Sequence, residues 1–429
     1  MTFEEHLTKY LLKEDIEKLL KSLDGKSTKS IVINTNKIDH DFIMSKFPLL
    51  QPHPIVKNCY IYDDEVYQLG KHIYFEQGLY YIFEPCSALV NHILNPNKND
   101  IVLDLCAAPG GKTSHLAILK ENEGIIVSNE ISKERSLILS SNVERMGFKN
   151  VIVTNNTIDD FKSFNQVFDK IILDAPCSGS GMFRKETKMK DDWTYQKVLS
   201  LVPIQKELIL KCYDLLKPGG TLVYSTCSFS YEEDEEVIKY LLDNTSAKLV
   251  DIDDNTMYYQ SKEKIGIHLF PHLFNGEGHY ICKISKPKNE EFISKMNFQK
   301  VDKFNDLHKL LNVDGYIYNF DNLYFLLPHY FDFKKLKVLR GGLKLGSKEK
   351  YGFEMDHALS HYLESYPNEC ELTKEEAMLY LQGQTLQKVT KEGNVLMKYQ
   401  NKSIGFAKSI KGRINNKYPK GLRKSNLNY

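Results

Sequence analysis

The sequence predicts a mostly parallel, doubly wound α/β sheet through its middle, closed by a terminal antiparallel hairpin and flanked by a smaller α+β unit on each side. Three observations predict it. From about Asn99, short β-branched apolar runs alternate with helix-length segments, the pattern of parallel strands joined by crossover helices. A glycine-rich turn, Cys106-Ala-Ala-Pro-Gly-Gly-Lys112, leaves the first run and opens a helix. Two later runs end in cysteine-bearing turns, Asp174-Ala-Pro-Cys-Ser-Gly-Ser-Gly181 and Tyr224-Ser-Thr-Cys-Ser-Phe-Ser230. Open α/β sheets place their ligands at such carboxyl ends of strands.

Taken in order, Thr2–Leu23 has the spacing of one amphipathic helix, with Leu7, Leu11, Leu19 and Leu23 on a shared face. Ser30–Asn34 reads as a strand, and Ile61–Leu69 and His72–Phe75 as weaker ones, so residues 1–80 form a small α+β domain. Gln77–Asn95 bridges to the next domain and turns helical after Pro85. The catalytic-type domain spans 81–286. Its strands are Ile101–Leu105, Gly124–Asn129, Val151–Thr154, Phe168–Leu173 and Gly220–Ser225. Helices follow each turn, including Lys133–Met146 and Pro203–Leu216, and His268–Ser285 forms the terminal hairpin with Gly276-Glu-Gly278 at its tip. Ser230 and Glu233 have capping-box spacing ahead of a helix over Glu233–Leu242. Residues 287–300 are polar and charged and read as a linker. Beyond it, Tyr316–Phe320, Leu323–Leu327, Leu336–Leu339, Val395–Tyr399 and Ser403–Ala407 are strand-like, so 301–429 is a further α+β unit.

Composition narrows the class. Hydrophobic residues make up 42% and charged residues 26%, as in globular proteins, and the net charge of +1 hides a basic end. Between Lys391 and Tyr429 there are ten Lys or Arg and one acid, Glu392, a pattern suited to phosphate contacts. The eight cysteines include no Cys-x-x-Cys pair, so no metal is expected, and their scatter suits a reducing compartment. Five acids in Met1–Leu20 exclude a signal peptide, and no apolar run is long enough for a membrane helix. A cytoplasmic protein without membrane contact is expected.

The turns carry the chemistry. Cys106–Lys112 offers glycines for close backbone approach and a helix amino end for a carboxylate or phosphate. Gly110-Gly-Lys-Thr113 mimics half a P-loop, but Cys106 stands where the first P-loop glycine belongs, and an NTPase is disfavoured. Glu130 closes the second strand, where a carboxylate accepts both ribose hydroxyls of an adenosyl group. Asn155 and Asn156 follow the third strand, where a polar contact to adenine is expected. Asp174 ends the fourth strand, facing an incoming base or the cofactor's amino group. Arg184, Lys185 and Lys188 beyond it are candidate phosphate contacts.

Two thiols beside an adenosyl pocket suit covalent catalysis. A lone cysteine is more often a small buried hydrophobe, but the flanking motifs here favour reactivity. Carbon 5 of cytosine is a poor nucleophile; a thiolate adding at carbon 6 makes it an enamine carbon able to attack a methyl sulfonium. Asp174 with a raised pKa would then hydrogen-bond ring nitrogen 3. The second thiol assists elimination, and the base must leave any stack to be reached.

Asp104–Lys112, Asp174-Ala-Pro-Cys-Ser-Gly179 and Ser225-Thr-Cys-Ser-Phe229 resemble the signature blocks of the RNA cytosine-5 methyltransferases of the Nol/Nop/Sun family. The resemblance implies a Rossmann-like methyltransferase fold, with Cys227 as nucleophile and Cys177 assisting product release. It implies that Cys106, Ala107, Ala108, Pro109, Gly110, Gly111 and Lys112 bind S-adenosyl-methionine, with Glu130 on its ribose, Asn156, or Thr157 beside it, on its adenine, and Asp174 against both cofactor and base. Gly78–Pro85, Arg340–Gly346 and Lys411–Arg423 are similar to bacterial 16S rRNA methyltransferases of the RsmF/YebU type. That likeness implies an RRM-like amino-terminal domain, a PUA-like carboxyl-terminal domain, and 16S rRNA or the small ribosomal subunit as partner of a monomer. Phe83-Glu-Pro-Cys86 departs from the family's glutamine and serine. Lys391–Lys424, with Tyr399, Phe406 and Tyr418 interleaved, is the expected RNA-backbone surface. A tRNA or DNA cytosine-5 methyltransferase and a non-catalytic RNA-binding assembly factor are the alternatives.

Overall fold

The computed structural model describes residues 1–253, 255–289, 305–320, 322–350 and 352–424. Most of the expected linker, 290–300, lies outside these residues. Among the described residues a nine-stranded sheet runs through the middle of the chain. Its parallel centre is ordered Leu216–Thr226, Phe168–Asp174, Ile101–Asp104, Ile125–Asn129, Val151–Thr154. Val102, Leu103, Ile126, Val127, Ile171 and Ile172 are fully buried, because helices cover both faces. The chain builds outward from Ile101–Asp104 through two strands, then returns to its other side with Phe168–Asp174. The reversal leaves a crevice at the carboxyl ends of these two neighbours. The terminal hairpin is present: His279–Ser285 runs antiparallel to Leu216–Thr226 and also pairs with Ile267–Leu269.

Several elements depart from the sequence reading. The single helix expected over Thr2–Leu23 is two helices, Phe3–Leu7 and Lys13–Leu23. A capping box between Thr2 and Glu5 starts the first. Leu7, Leu11, Leu19 and Leu23 pack against Phe183, Trp193, Phe229 and Phe270 of the catalytic-type domain. His72–Phe75, expected as a strand, lies at a short helix, Ile73–Glu76, whose first turn is capped by the His72 ring accepting from Tyr74 N. Pro203 lies inside the helix Tyr195–Leu215 rather than at its start; Thr194 caps the true beginning. The last catalytic-domain helix is Glu235–Asn244 with Asp234 at its N-cap position, so Glu233 is not a capping-box partner.

The flanking units interlock with the centre. The first sheet is ordered Gln51–Pro52, Cys59–Tyr62, Lys29–Ile33, Tyr80–Phe83. Its edge strand crosses the boundary expected at residue 80. The carboxyl-terminal region contains a four-stranded and a five-stranded sheet. It also sends Val338–Gly341 back to pair antiparallel with Val151–Thr154, adding an edge strand to the central sheet. Arg340 on that strand is buried and ion-paired with Glu144 of the helix Lys133–Met146. Just before it, Lys337 N donates to Asn156 Oδ1 at 3.0 Å, and Asn156 Nδ2 donates to Lys337 O at 3.2 Å.

Losing both Asn156 bonds leaves the Lys337 N–H without its acceptor, while Lys337 O keeps the Asn155 N–H at 3.0 Å. Asn156→Ala is therefore expected to lower stability by about 1–3 kcal/mol. The amides of Val338–Gly341 should exchange hydrogen faster in the variant, a change that mass spectrometry of the exchanged protein would detect.

Candidate active site

The first turn is built as its sequence suggests. Gly110, with φ of 111°, precedes the helix Gly111–Leu119, and a Cβ there would meet Leu139 Cδ1 at 3.0 Å. Ala107 N donates to Asn129 O at 2.8 Å, Arg135 Nη2 to Ala108 O at 2.8 Å, and Asn142 Nδ2 to Pro109 O at 2.9 Å. These bonds pin Cys106, Ala107, Ala108 and Pro109 across the crevice mouth. Asp104 is fully buried; burial pushes its carboxyl up to about 7, against the opposing Thr113 hydrogen bond of 2.7 Å. Burial also pushes the Cys106 thiol up, so it remains protonated.

Glu130 sits at the end of the second strand and is 2% exposed. Its Oε1 accepts from Ser132 N at 2.9 Å, while Oε2 makes no hydrogen bond but lies 3.4 Å from Arg135 Nη1, an ion pair. Asp104 Oδ1 also makes no hydrogen bond among the described residues. Carboxylate oxygens with unused hydrogen-bonding capacity suit a ligand carrying hydroxyl or amino donors. The other expected contact is corrected: both ends of the Asn156 amide are occupied by Lys337, so this side chain pins the carboxyl-terminal segment instead.

The two cysteine turns meet. Phe168–Asp174 and Leu216–Thr226 pair in parallel with Asp174 opposite Ser225. Both strands then turn away at one level, leaving Cys177 Sγ and Cys227 Sγ 3.3 Å apart and partly exposed. The Cys177 thiol is raised well above its ordinary value, first by its hydrogen bond with Cys227 and then by burial, with Glu233 and Asp174 adding to the effect. Cys177 is therefore protonated at neutral pH.

Asp174 is the reverse of what the sequence suggested. Burial pushes its carboxyl up, but Lys112 and His279 push it further down, and it stays ionised. Lys112 Nζ donates to Asp174 Oδ2 at 2.8 Å, Ser225 Oγ donates to Oδ1 at 2.7 Å, and His279 Nε2 is 3.6 Å from Oδ1. The Lys112 cation was the missing element: its motif was legible, but its reach across the crevice to Asp174 was not. An ionised Asp174 accepts hydrogen bonds and has no proton to give ring nitrogen 3.

Sequence reasoning missed His279, Ser225 and Glu233, because none has a local signature. It misassigned Arg184, which is buried and paired at 3.0 Å with the fully buried Glu277 beside the hairpin tip. Glu277 N in turn donates to Glu84 at 2.7 Å, which places the unusual Glu84 at a structural junction. Lys185 and Lys188 remain exposed. Phe406 and Tyr418 are each 3% exposed core residues and are removed from the expected RNA surface. Lys391, Lys408, Lys411, Arg413, Lys420 and Arg423 are exposed there. Among the described residues, Asp234, Glu235 and His268 are the group close enough to share a cation. A 2.9 Å hydrogen bond between His268 Nε2 and Glu235 Oε1 already accounts for that pair.

Comparison with known proteins places this geometry. Residues 91–285 match the family model of 16S rRNA methyltransferase RsmB/F. Residues 1–85 match the N-terminal domain of 16S rRNA methyltransferase RsmF, and 367–424 match the methyltransferase RsmF PUA domain. The ribosomal RNA small subunit methyltransferase F of Vibrio parahaemolyticus is 33% identical, covering 93% of this chain and 92% of that protein. The chain belongs to the RsmF family of 16S rRNA methyltransferases. A Shewanella woodyi member of the same name is 34% identical over 92% of the chain and 90% of its own length. Among solved structures, a methyltransferase homologue from Pyrococcus horikoshii is 30% identical, with a TM-score of 0.59 over 66% of this chain and 93% of its own. NSun6 from Pyrococcus horikoshii with SFG, at 22% identity, covers 67% of this chain and 98% of its own. Its TM-score of 0.59 supports the shared fold. No helix among the described residues is long and apolar enough to cross a membrane. Residues 367–424 therefore form the PUA domain of an rRNA methyltransferase.

Because Asp174 is held below its ordinary carboxylate pKa, its pairing stabilises the fold fully above about pH 4 and is lost only as pH falls through its lowered folded value. Lys112→Met removes the nearest cation and leaves the effect of burial. The stability lost by Lys112→Met is expected to be largest at neutral pH and to shrink as pH falls toward 4, as read from urea midpoints across pH.

Proposed function

We propose that the chain methylates carbon 5 of a cytosine in 16S rRNA, using S-adenosyl-methionine and a covalent bond between Cys227 and carbon 6 of the base. The observation that carries this reading is the pair of sulfurs 3.3 Å apart, beside an ionised Asp174 and a cationic Lys112. Bound S-adenosyl-methionine supplies an electrophilic methyl group. The residues that would hold it are Cys106–Lys112 and Glu130, whose strand-end carboxylate keeps an oxygen with no hydrogen bond and fits a ribose hydroxyl donor.

Cys227 loses its proton and its sulfur adds to carbon 6, breaking the ring double bond and moving its electron pair toward carbon 5 and nitrogen 3. Lys112 places positive charge beside the ring, and Asp174 accepts a hydrogen bond from the exocyclic amine. Carbon 5 is then nucleophilic and takes the methyl group. In elimination one concerted relay carries the Cys177 proton to the departing Cys227 sulfur while the thiolate so formed takes the carbon 5 proton, and the ring double bond re-forms as the carbon 6–sulfur bond breaks. One proton is released overall, from the first step. The raised Cys177 thiol suits this role as proton holder. The exposed cations between Lys391 and Arg423 fit the RNA backbone.

Cys227→Ala is expected to abolish transfer of tritiated methyl to 16S rRNA. Cys177→Ala should instead form the bond and fail to release it, leaving a protein–RNA complex that survives denaturing electrophoresis. Full turnover by Cys227→Ala would overturn the assignment, and trapping by Cys227→Ala in place of Cys177→Ala would point to the order of roles used on DNA.

A further inference from the structure

The loop after Cys227 carries the acids Glu232, Glu233 and Asp234 ahead of the helix Glu235–Asn244, and Glu233 reaches back to both sulfur-bearing turns. It is fully buried. Glu233 Oε1 accepts from Ser178 N at 2.8 Å, and Oε2 accepts from Ser178 Oγ at 2.5 Å and Ser228 Oγ at 2.6 Å. Gln205 Nε2 lies 3.1 Å from Oε1 and 2.8 Å from Pro176 O. The residues following the two cysteines, Ser178 and Ser228, thus share one carboxylate.

The two turns depend on it unequally. Gly181 N to Cys227 O at 2.8 Å and Phe229 N to Ser180 Oγ at 2.9 Å tie the two turns to each other, whereas on the Cys227 side Ser228 N is met by Thr226 Oγ1 at 3.1 Å and only the Ser228 hydroxyl goes to Glu233. On the Cys177 side, the Ser178 backbone donor goes to Glu233, and Pro176 is held by a glutamine that Glu233 itself contacts. Four neutral donors surround the carboxylate, and among the described residues no cation pairs with it. Such an acceptor fixes its donors tightly, because an unmet bond to a buried charge is costly.

We propose that Glu233 is a positioning residue for Cys177, holding that thiol against Cys227 for the elimination step while leaving attack by Cys227 largely to other contacts. This rests on the cytosine-5 reading. The charge of Glu233 also favours the protonated state of Cys177, in keeping with its part in proton transfer.

The test follows single-turnover methyl transfer to 16S rRNA together with the denaturation-resistant protein–RNA complex, with Cys177→Ala as control. Glu233→Ala is expected to form the complex readily and release it roughly tenfold or more slowly than the native protein. Glu233→Gln keeps an oxygen for Ser178 N and should release faster than Glu233→Ala. If Glu233→Ala does not fold, Ser178→Ala and Glu233→Gln carry the test, each with slowed release expected. Native release rates in the folded variants, or an equal fall in formation and release, would overturn the proposal. If Cys177→Ala accumulates complex and the Glu233 variants do not, this inference alone fails. If Cys177→Ala accumulates none, the cytosine-5 reading fails with it.

Discussion

Parallel pairing of Phe168–Asp174 with Leu216–Thr226, in the register that sets Asp174 opposite Ser225, brings both thiols and Asp174 together. Both strands leave the sheet at one height, so Cys177 and Cys227, 50 residues apart in the chain, come within 3.3 Å. A slip of one residue would turn each following side chain to the other face and separate the thiols. Burial on both faces opposes that slip. Ile171, Ile172, Leu222 and Val223 are wholly buried, and a shifted register would move each into a site shaped for its neighbour.

Around this pair the protein buries several carboxylates and gives each a different environment. Asp174 is kept ionised by Lys112 and His279, whereas burial pushes Asp104 up to about 7. Glu233 is surrounded by neutral donors from both cysteine turns. Neighbouring acids with separated charge states can divide the work of orienting, accepting and structural bracing. The hairpin strand His279–Ser285 contributes to this division by bringing His279 against Asp174. The same hairpin's tip seats Gly278 against Gly181, where a Cβ on Gly181 would come within 2.5 Å of the Gly278 carbonyl oxygen. Fold closure and site geometry are therefore one packing problem.

Much of the central sheet was legible. Its five parallel strands announce themselves by β-branched runs ending in turn residues, and the three turns carry motifs whose chemistry can be read residue by residue. Helix boundaries were less legible. Pro203 looked like a helix start, yet Thr194 offers an earlier cap and the helix tolerates the proline within it. Glu233 looked like a capping residue by spacing, but its carboxylate found stronger employment between two distant turns. Phe406 and Tyr418 sat among lysines and looked like stacking residues; packing buries them instead. Asn156 stood at the expected adenine position and was claimed by the Lys337 backbone.

The sequence by itself determined the alternation of strands and helices, the chemistry of the Cys106–Lys112, Cys177 and Cys227 turns, and the basic character of the carboxyl end. Those features depend on a few neighbouring residues, so local propensity and residue type suffice to read them. Only the tertiary structure decided that Lys112 holds Asp174 ionised, that Glu233 bridges both cysteine turns, and that Val338–Gly341 completes the central sheet from far along the chain. Each of these joins groups distant in sequence. Such partners are chosen by chain closure and by the burial of charge and apolar surface together, which no local window of residues contains.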